Sequence, residues 1–515
     1  MTEAQTPTAS SGAIDKGLKA GAIGLMSTIV IGVASTAPGY SLAAGLGFVT
    51  GAAGSQAPAI MWLAFIPMLF IAAAYYYLNH ADPDCGTTFT WVTRAMGPKT
   101  GWISGWGIII ADLIIMPSLA AITGKYVFLL IGKDALAENS VWTTVVGVLF
   151  ILGMTWICVI GIELNAKTQL FLLLAEIIIL AVFAVVALYQ VWVSKDPGTV
   201  QPSLSWLNPF AIKDTTALSS GILLAVFLYW GWDTAVAVNE ETKDSNRTPG
   251  VAAVVSTLVL VGTYVIVAVA AQSVRGAGFL TANSDDVLSK TGQIVLGSGV
   301  AKFLIIAVLT SAAASTQTTI LPAARSTLSM AAHKAIPAWY GKIDEKRFSP
   351  ANATILFGVI SVLWYVGLVV VSETSGGDVL GDSIAAVGLM IAFYYGITGF
   401  ACVLYYRKHL FTSLKNFIFV GLAPFLGGAI LTWVFVKSCI DLAKPENSES
   451  GNSWFGVGPP LVIGLGLLAI GVPLMLLCMP KSREFFKLRR DPIDERPSPQ
   501  GGEAPPLGGI RVEEA

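Results

Sequence analysis

Long runs of apolar residues, separated by short polar loops, make up most of this chain. Runs of about 20 apolar residues are long enough to cross a hydrocarbon core of roughly 30 Å as helices. The pattern predicts twelve transmembrane helices, numbered spans 1 to 12 in chain order: 22–48, 53–78, 101–131, 141–161, 167–193, 217–239, 250–272, 294–324, 352–371, 380–404, 416–437 and 456–479.

Two of the predicted helices carry interruptions. The middle of span 1 reads Gly32-Val-Ala-Ser-Thr-Ala-Pro38-Gly39, which is a poor helix former, and the inner half of span 6 contains Tyr229-Trp-Gly-Trp-Asp233. Unwound backbone persists at bilayer depth only where it lines a cavity or is buried in protein. Paired interruptions in corresponding halves of a chain therefore point to a substrate site between the inverted repeats of a secondary transporter.

The spans divide into two sets of five, with two helices appended. Because five is an odd number of crossings, the second set must enter the membrane upside down. We therefore expect an all-α integral membrane fold with broken helices 1 and 6. The predicted parts are a first repeat at about 22–193, a second repeat at about 217–404, helices 11 and 12 at about 416–479, one transporter domain over 22–480, and disordered ends at 1–21 and 481–515.

Composition supports a membrane protein. Hydrophobic residues make up 54% of the 515 residues and charged residues only 12%, with a mean hydropathy of +0.70. Lysine and arginine cluster on alternate loops, which predicts a multi-pass protein of the cell membrane with both termini in the cytoplasm. The net charge of −1 gives no indication of a nucleic-acid partner. No nucleotide-binding loop, Cys/His metal cluster or Gly-x-Ser-x-Gly motif occurs, so we expect neither a cofactor nor an enzyme.

Three acidic residues fall deep within predicted spans. Asp112 and Glu176 each lie about ten residues into a span, roughly 15 Å deep, and Asp233 lies at the second interruption. Charged groups at this depth are costly and usually face a cavity or a partner. They are candidates for binding and releasing a proton during transport, although each could instead be neutral and hydrogen-bonded to a neighbouring helix.

A polar segment in span 8 offers an alternative coupling site. Ser315 and Thr316 lie within Thr310–Thr319, where hydroxyl groups occur at nearly every other position. Oxygen ligands suit hard cations, so these hydroxyls could bind Na⁺ together with carbonyl groups freed at the first interruption. Small polar residues are also common packing surfaces between membrane helices.

Aromatic residues flank both interruptions, and Tyr394 and Tyr395 lie in span 10. Aromatic rings can cover an amine through cation–π contacts, but they equally often only pack. The half-helices at an interruption add dipoles, because an N-terminal end favours a carboxylate and a C-terminal end favours a cation. A zwitterionic amino acid matches both ends.

Three stretches resemble the amino acid–polyamine–organocation (APC) superfamily of transporters. They are Ile31-Gly32 with Pro38-Gly39, then Phe227-Leu-Tyr229-Trp-Gly231-Trp-Asp233 followed by Glu240-Glu241-Thr-Lys243-Asp-Ser-Asn-Arg247-Thr-Pro249, and finally Ala324-Arg325, Met330-Ala331, Ile336-Pro337 and Ser349-Pro350.

The resemblance implies the LeuT-type fold and uptake of amino acids or related amines, often driven by protons. It places the substrate site at the two interruptions and gives Asp233 the place where some members carry an acid linked to proton coupling. Glu176 stands where many proton-coupled members have a lysine. The implied substrate-binding residues are Gly32, Ala34, Ser35, Thr36, Gly39, Phe227, Tyr229, Trp230, Gly231 and Trp232.

Taken together, these features predict a secondary active transporter that imports an amino acid or related organic amine by alternating access, coupled to protons. The alternatives are a polyamine or amine permease, a Na⁺-coupled amino acid transporter, and a nutrient sensor that keeps the fold without moving its ligand.

Overall fold

The computed structural model describes residues 14–488 and 490, apart from residue 285 and the side chains of 163–168 and 298. Of the two ends predicted to be disordered, 1–13, 489 and 491–515 lie outside the described residues. Residues 14–21 are described and include the buried Lys16, and Arg483–Phe486 forms a short helix in which Phe485 is buried.

The regular secondary structure of the described residues is helical, with three isolated β-bridges and no β-strand among them. Seventeen helices carry labels here: α1 (Leu25–Thr36), α2 (Pro38–Ala53), α3 (Ala57–Ala81), α4 (Thr88–Met96), α5 (Pro98–Leu130), α6 (Ser140–Ile160), α7 (Ile162–Tyr189), α8 (Thr215–Tyr229), α9 (Thr234–Ala237), α10 (Thr248–Arg275), α11 (Ala277–Ala282), α12 (Val287–Val300), α13 (Lys302–Ala332), α14 (Ala351–Ser375), α15 (Val379–Tyr405), α16 (Ala423–Leu442) and α17 (Pro459–Cys478).

Ten stretches of the described chain are long and apolar enough to cross a membrane. One of them, Leu25–Ala81, has 57 residues and contains α1, α2 and α3, so it covers the first two predicted spans. The helix α8 is apolar but has only 15 residues, and it covers most of the predicted sixth span. The count of twelve spans therefore stays a prediction.

The chain leaves the helical conformation between α1 and α2. Ala37 adopts a left-handed conformation, with φ 46° and ψ 67°, and Pro38 begins the next helix. Proline disfavours a helical conformation in the residue before it and lacks the N–H that would continue the helix. At the first position of a new helix that missing N–H does no harm, so Pro38 ends one helix and begins another.

A second non-helical segment separates α8 from α9. Trp230 is extended, with φ −71° and ψ 145°, and Gly231 has φ +116°, a conformation that side chains rarely adopt. A Cβ at Gly231 would lie 2.7 Å from the carbonyl oxygen of Ser35. The hydroxyl groups of Ser35 and Thr234 lie 2.8 Å apart. The last turn of α1, beside the first non-helical segment, therefore lies directly against the second non-helical segment.

The helices differ in how deeply they are buried. The most apolar windows of α5 and α13 are each 83% buried, whereas those of α6 and α17 are 28% and 22% buried. The less buried helices expose large apolar side chains, as α7 does with Phe171, which suits contact with lipid tails. The interior helices, together with α1, α2, α8 and α15, enclose the non-helical segments.

A group of buried ion pairs, called the ionic network below, lies beside the start of α1. Lys16 donates to Asp84 at 2.9 Å and also to Glu240. Arg325 forms a two-point contact with Glu241 at 3.0 and 3.1 Å, and both side chains are only 1% exposed. These five residues bring together the N-terminal segment, the loop after α3, the segment after α9, and α13.

Candidate functional site

A small cavity, called the central cavity below, lies between the two non-helical segments. The centre of a water molecule could occupy about 10 Å³ of this cavity, so the cavity has room for about one water. A larger ligand would therefore need the surrounding side chains to move apart. Its lining consists of Ser35, Ile108, Asp112, Trp230, Gly231, Asp233, Thr234, Thr319, Pro322 and Tyr394.

Two acidic side chains face this cavity, one from a helix and one from the second non-helical segment. Asp112 lies in the middle of α5, and Asp233 lies in the last turn of backbone before α9. Tyr394 donates its hydroxyl proton to Asp233 at 3.0 Å and accepts a hydrogen bond from the indole N–H of Trp230. In the described structure the Oδ2 atom of Asp112 is buried and has no hydrogen-bond partner.

Five residues singled out from the sequence line the central cavity: Ser35, Asp112, Trp230, Gly231 and Asp233. Gly231 has a backbone reason to be glycine, since a side chain there would press on Ser35. Ser35 lies in the last turn of α1, next to the first non-helical segment, and Trp230 lies in the second non-helical segment. The structure thus brings the two predicted interruptions and two of the predicted acids into one site.

The predicted glycine and small residues of α1 have packing contacts instead. A Cβ at Gly32 would lie 2.6 Å from the hydroxyl oxygen of Ser256, so this glycine allows α1 and α10 to approach closely. Ala34 is fully buried, and Thr36 donates its hydroxyl to a carbonyl of its own helix. These three residues are outside the cavity lining, and their role in substrate binding stays a prediction.

The other predicted aromatic residues form a buried cluster next to the cavity. Phe227 packs edge-on against Tyr40 with ring centroids 6.3 Å apart, and Tyr229 donates its hydroxyl to a backbone carbonyl of α3 at 3.0 Å. Trp232 is completely buried and packs against Tyr75 at 5.1 Å. These contacts hold the second non-helical segment in place without touching the cavity.

Glu176 lies against the beginning of α2 rather than in the central cavity. Its Oε1 atom accepts the backbone N–H of Gly39 at 2.5 Å and the hydroxyl of Ser311 at 2.8 Å. Its Oε2 atom is buried and has no hydrogen-bond partner among the described groups. A carboxylate at this position suits the N-terminal end of a helix, so Glu176 couples α7, α2 and α13 electrostatically.

The two hydroxyl residues of the possible ion site behave differently. Ser315 donates to the backbone carbonyl of Ser35 at 3.1 Å and so reaches the first non-helical segment. Thr316 donates to a carbonyl of its own helix at 2.8 Å. Only Ser315 therefore lies beside a carbonyl that is free of helix hydrogen bonding, and Na⁺ binding stays a prediction.

Three lining residues carried no signal in the sequence. Ile108 and Pro322 are apolar residues on apolar helices, and Thr234 follows the predicted acid directly. Tyr394 was noted in the sequence as an aromatic residue of span 10, and Thr319 as a member of the polar segment. Nothing in the sequence indicated that they line the same cavity as Asp233. In helices that are apolar all round, the inward face depends on long-range packing.

Comparison with known proteins assigns the family. The model of the family described as "Amino acid permease" matches residues 21–468. The chain belongs to this family. Its homologues are amino acid and polyamine permeases of the APC superfamily, which confirms the resemblance seen in the sequence.

Two characterised relatives share about a quarter of the aligned residues. The low-affinity putrescine importer PlaP of Escherichia coli is 24% identical over 226 residues, which cover 43% of this chain and 47% of the importer. The match thus spans about half of the importer's length. The arginine/ornithine antiporter ArcD2 of Lactococcus lactis is 22% identical, with 84% of this chain and 90% of the antiporter covered.

A solved structure shows the fold. The structure of MhsT in complex with L-phenylalanine matches with a TM-score of 0.60 and 16% sequence identity, and the match covers 82% of this chain and 99% of that chain. MhsT has the LeuT-type fold, so this all-helical chain shares that fold.

Proposed function

We propose that this permease is a secondary active transporter that imports an amino acid or a related organic amine by alternating access. The observation that carries the proposal is the central cavity, because it lies between two opposed non-helical segments within the apolar interior. Irregular backbone at such depth serves ligand binding in transporters of this architecture. The putrescine importer and the arginine/ornithine antiporter among the relatives support an amine-bearing substrate.

In the proposed transporter, the twelve predicted spans form a 5+5 inverted repeat with two additional helices. The protein lies in the cell membrane. Both termini face the cytoplasm, as the lysine and arginine distribution favours. The ionic network then lies on the cytoplasmic side of the central cavity. Opening toward the cytoplasm requires the segments joined by the network to separate.

Protons are the coupling ion of the proposal. Glu176 supports this assignment because one of its oxygens touches α2 and α13 while the other has no hydrogen-bond partner in the described structure. Protonation of this carboxyl would weaken its contact with the N–H of Gly39 and release α2. Coupling to Na⁺ is the second candidate, favoured by the contact between Ser315 and the carbonyl of Ser35.

Reconstitution in liposomes tests the proposal. Purified protein in proteoliposomes with an acidic exterior should accumulate a labelled amino acid or amine above the external concentration, and a protonophore should abolish the accumulation. Liposomes without protein are the control. Accumulation that needs a Na⁺ gradient instead would show that Na⁺, and not the proton, is the coupling ion. Ligand binding without accumulation under either gradient would contradict a transporter and favour a sensor.

A further inference from the structure

The central cavity is acidic and lacks a basic counterpart. Asp112 and Asp233 are 1% and 6% exposed, and none of the ten described lining residues is lysine, arginine or histidine. Two carboxylates that share a small cavity repel each other, and neither is readily charged without a nearby cation. In an apolar interior such groups mark the path or the site of a charged ligand.

The two carboxyl groups of the cavity differ in their hydrogen bonds. Tyr394 donates to Asp233, and the tyrosine is itself fixed by Trp230. The Oδ2 atom of Asp112, in contrast, has no partner in the described structure although its residue lines the cavity. A buried acceptor without a donor is unfavourable and calls for an explanation. An ammonium group supplies several donors and a positive charge at once.

The group that would bind a substrate carboxylate at the first interruption is already occupied. The N–H of Gly39 donates to Glu176 at 2.5 Å, and the N–H of Tyr40 donates to the hydroxyl of Ser311 at 3.1 Å. The N-terminal end of α2 thus holds a carboxylate of the protein itself. Recognition at the central cavity therefore depends on the cationic end of the substrate.

We propose that Asp112 and Asp233 together bind the ammonium group of a cationic substrate, an alkylamine with net positive charge. This inference rests on the proposed transport function and narrows its substrate class. Trp230 and Tyr394 form aromatic walls beside the cation, while Ile108 and Pro322 give apolar contact for its alkyl chain. A free diamine and a basic amino acid both carry this terminal ammonium, whereas a neutral amino acid does not.

Three small ligands separate these chemistries: 1,4-diaminobutane, ornithine and norvaline. Norvaline has the carbon skeleton of ornithine without the terminal amine. Binding is measured by the thermal shift of the full-length protein in detergent and by titration calorimetry, because a ligand stabilises the state that binds it. We expect 1,4-diaminobutane, ornithine or both to stabilise the protein at concentrations at which norvaline has no effect.

Variants assign the ammonium site to the two acids. Asp112→Asn and Asp233→Asn should each bind the cation at least about tenfold more weakly, because each loses a charged hydrogen bond. Asp112→Glu keeps the charge and should retain the preference for cations. The control is Asp441→Asn, which alters a buried carboxyl on α16 that pairs with Lys437 away from the cavity. It should bind like the wild type.

The outcomes separate this inference from the transport proposal. The ammonium site would be overturned by equal binding of norvaline and ornithine, by failure of both cations to bind, or by unchanged cation affinity in both Asn variants. Uptake of norvaline into proteoliposomes would then leave the transport proposal intact. Cation binding that depends on Asp112 without any accumulation in proteoliposomes would support the site and contradict transport.

Discussion

Two regions of this molecule each hold a cluster of buried carboxylates, and only one of the two provides them with counter-ions. In the ionic network, Lys16 contacts both Asp84 and Glu240, and Arg325 contacts Glu241 at two points. Asp84, Cys85 and Glu240 have potential metal-ligand atoms within 4.8 Å of one another, yet the ammonium of Lys16 already joins the two carboxylates. Asp84, Glu240 and Glu241 therefore each have a basic partner within the protein.

The central cavity shows the opposite arrangement. Asp112 and Asp233 have aromatic, hydroxyl and apolar neighbours but no basic residue in the described lining. Proteins keep such unfavourable arrangements where function needs them, at a cost in stability. The comparison teaches that burial and charge are common to both regions, and that the presence of a counter-ion is what distinguishes the ionic network from the proposed ammonium site.

The largest effect is expected in the ionic network from Arg325→Leu, which leaves Glu241 buried and unpaired. Breaking a buried ion pair on one side typically costs about 3–5 kcal/mol, whereas removing both charges is often nearly neutral. We expect a loss of that size in the free energy of unfolding, measured by denaturant titration in detergent. The double variant Arg325→Leu/Glu241→Met should recover much of it. A single variant as stable as the wild type would break the comparison.

A smaller loss is expected where the cavity wall is built, from Gly231→Ala. Its φ of +116° and the 2.7 Å approach of a Cβ to the Ser35 carbonyl both oppose a side chain. Backbone strain of this kind costs about 1–3 kcal/mol, so the melting temperature and ligand affinity should both fall. The control is Gly262→Ala in α10, where no atom lies within 4 Å of the added Cβ. Equal effects of the two variants would contradict a tight contact between the non-helical segments.

Lys16→Met tests whether the network depends on its cation. Burial alone would raise the pKa of Asp84, but the charges of Lys16 and His333, together with hydrogen bonds from Ser329 and Lys16, outweigh burial and hold that pKa well below its usual range. Without Lys16, burial is the largest remaining influence, so we expect the folded-state pKa of Asp84 to rise above its unfolded value. Stability should then be highest at low pH and fall as pH rises through the new pKa.

The measurement is the melting temperature between pH 5 and 8. The wild type should show no loss from Asp84 in this range, because its stabilisation is lost only as pH falls through the depressed pKa. Lys16→Met should melt at a lower temperature at pH 8 than at pH 5. The corresponding loss in the free energy of unfolding is on the order of 1–3 kcal/mol. Lys346→Met removes an exposed lysine as the control. Parallel pH profiles in all three proteins would contradict the pairing.

The smallest change in stability is expected from Glu176→Gln. Glu176 is intermediate between the two regions, since N–H and O–H groups of α2 and α13 donate to it but no basic residue is among its described hydrogen-bond partners. Glutamine keeps the acceptor oxygen, so folding should change by less than about 1 kcal/mol. Accumulation driven by a pH gradient should be lost, while exchange of substrate across the membrane persists. Full pH-driven accumulation in this variant would make Glu176 a structural partner.

The sequence predicts the main elements of the fold for a clear physical reason. Apolar runs of membrane length identify most helices directly, and Pro38 and Gly231 lie where the backbone departs from helical geometry. The burial of Lys16 was not predictable, because its partners Asp84 and Glu240 lie 68 and 224 residues away. A polar N-terminal segment read alone indicates disorder.

The candidate site was predictable only in part. The depth of Asp112 and Asp233 within apolar runs identified them as unusual, and the structure brings both to one cavity. The other residues that line the cavity could not be predicted from hydrophobic periodicity, because Ile108 and Tyr394 lie on helices that are apolar on every side. The role of Gly39 was also hidden, since the interaction of its N–H with Glu176 depends on how α7 packs.

One chemical change applied to both regions tests the central claim most directly. Glu241→Gln and Asp112→Asn each replace a buried carboxylate by its amide, and their melting temperatures can be measured side by side without ligand. We predict that Glu241→Gln lowers the melting temperature, because Arg325 loses its counter-ion, and that Asp112→Asn leaves it unchanged or raises it. A fall in Asp112→Asn as large as that in Glu241→Gln would contradict the account, because it would mean that Asp112 already has its stabilising partner within the protein.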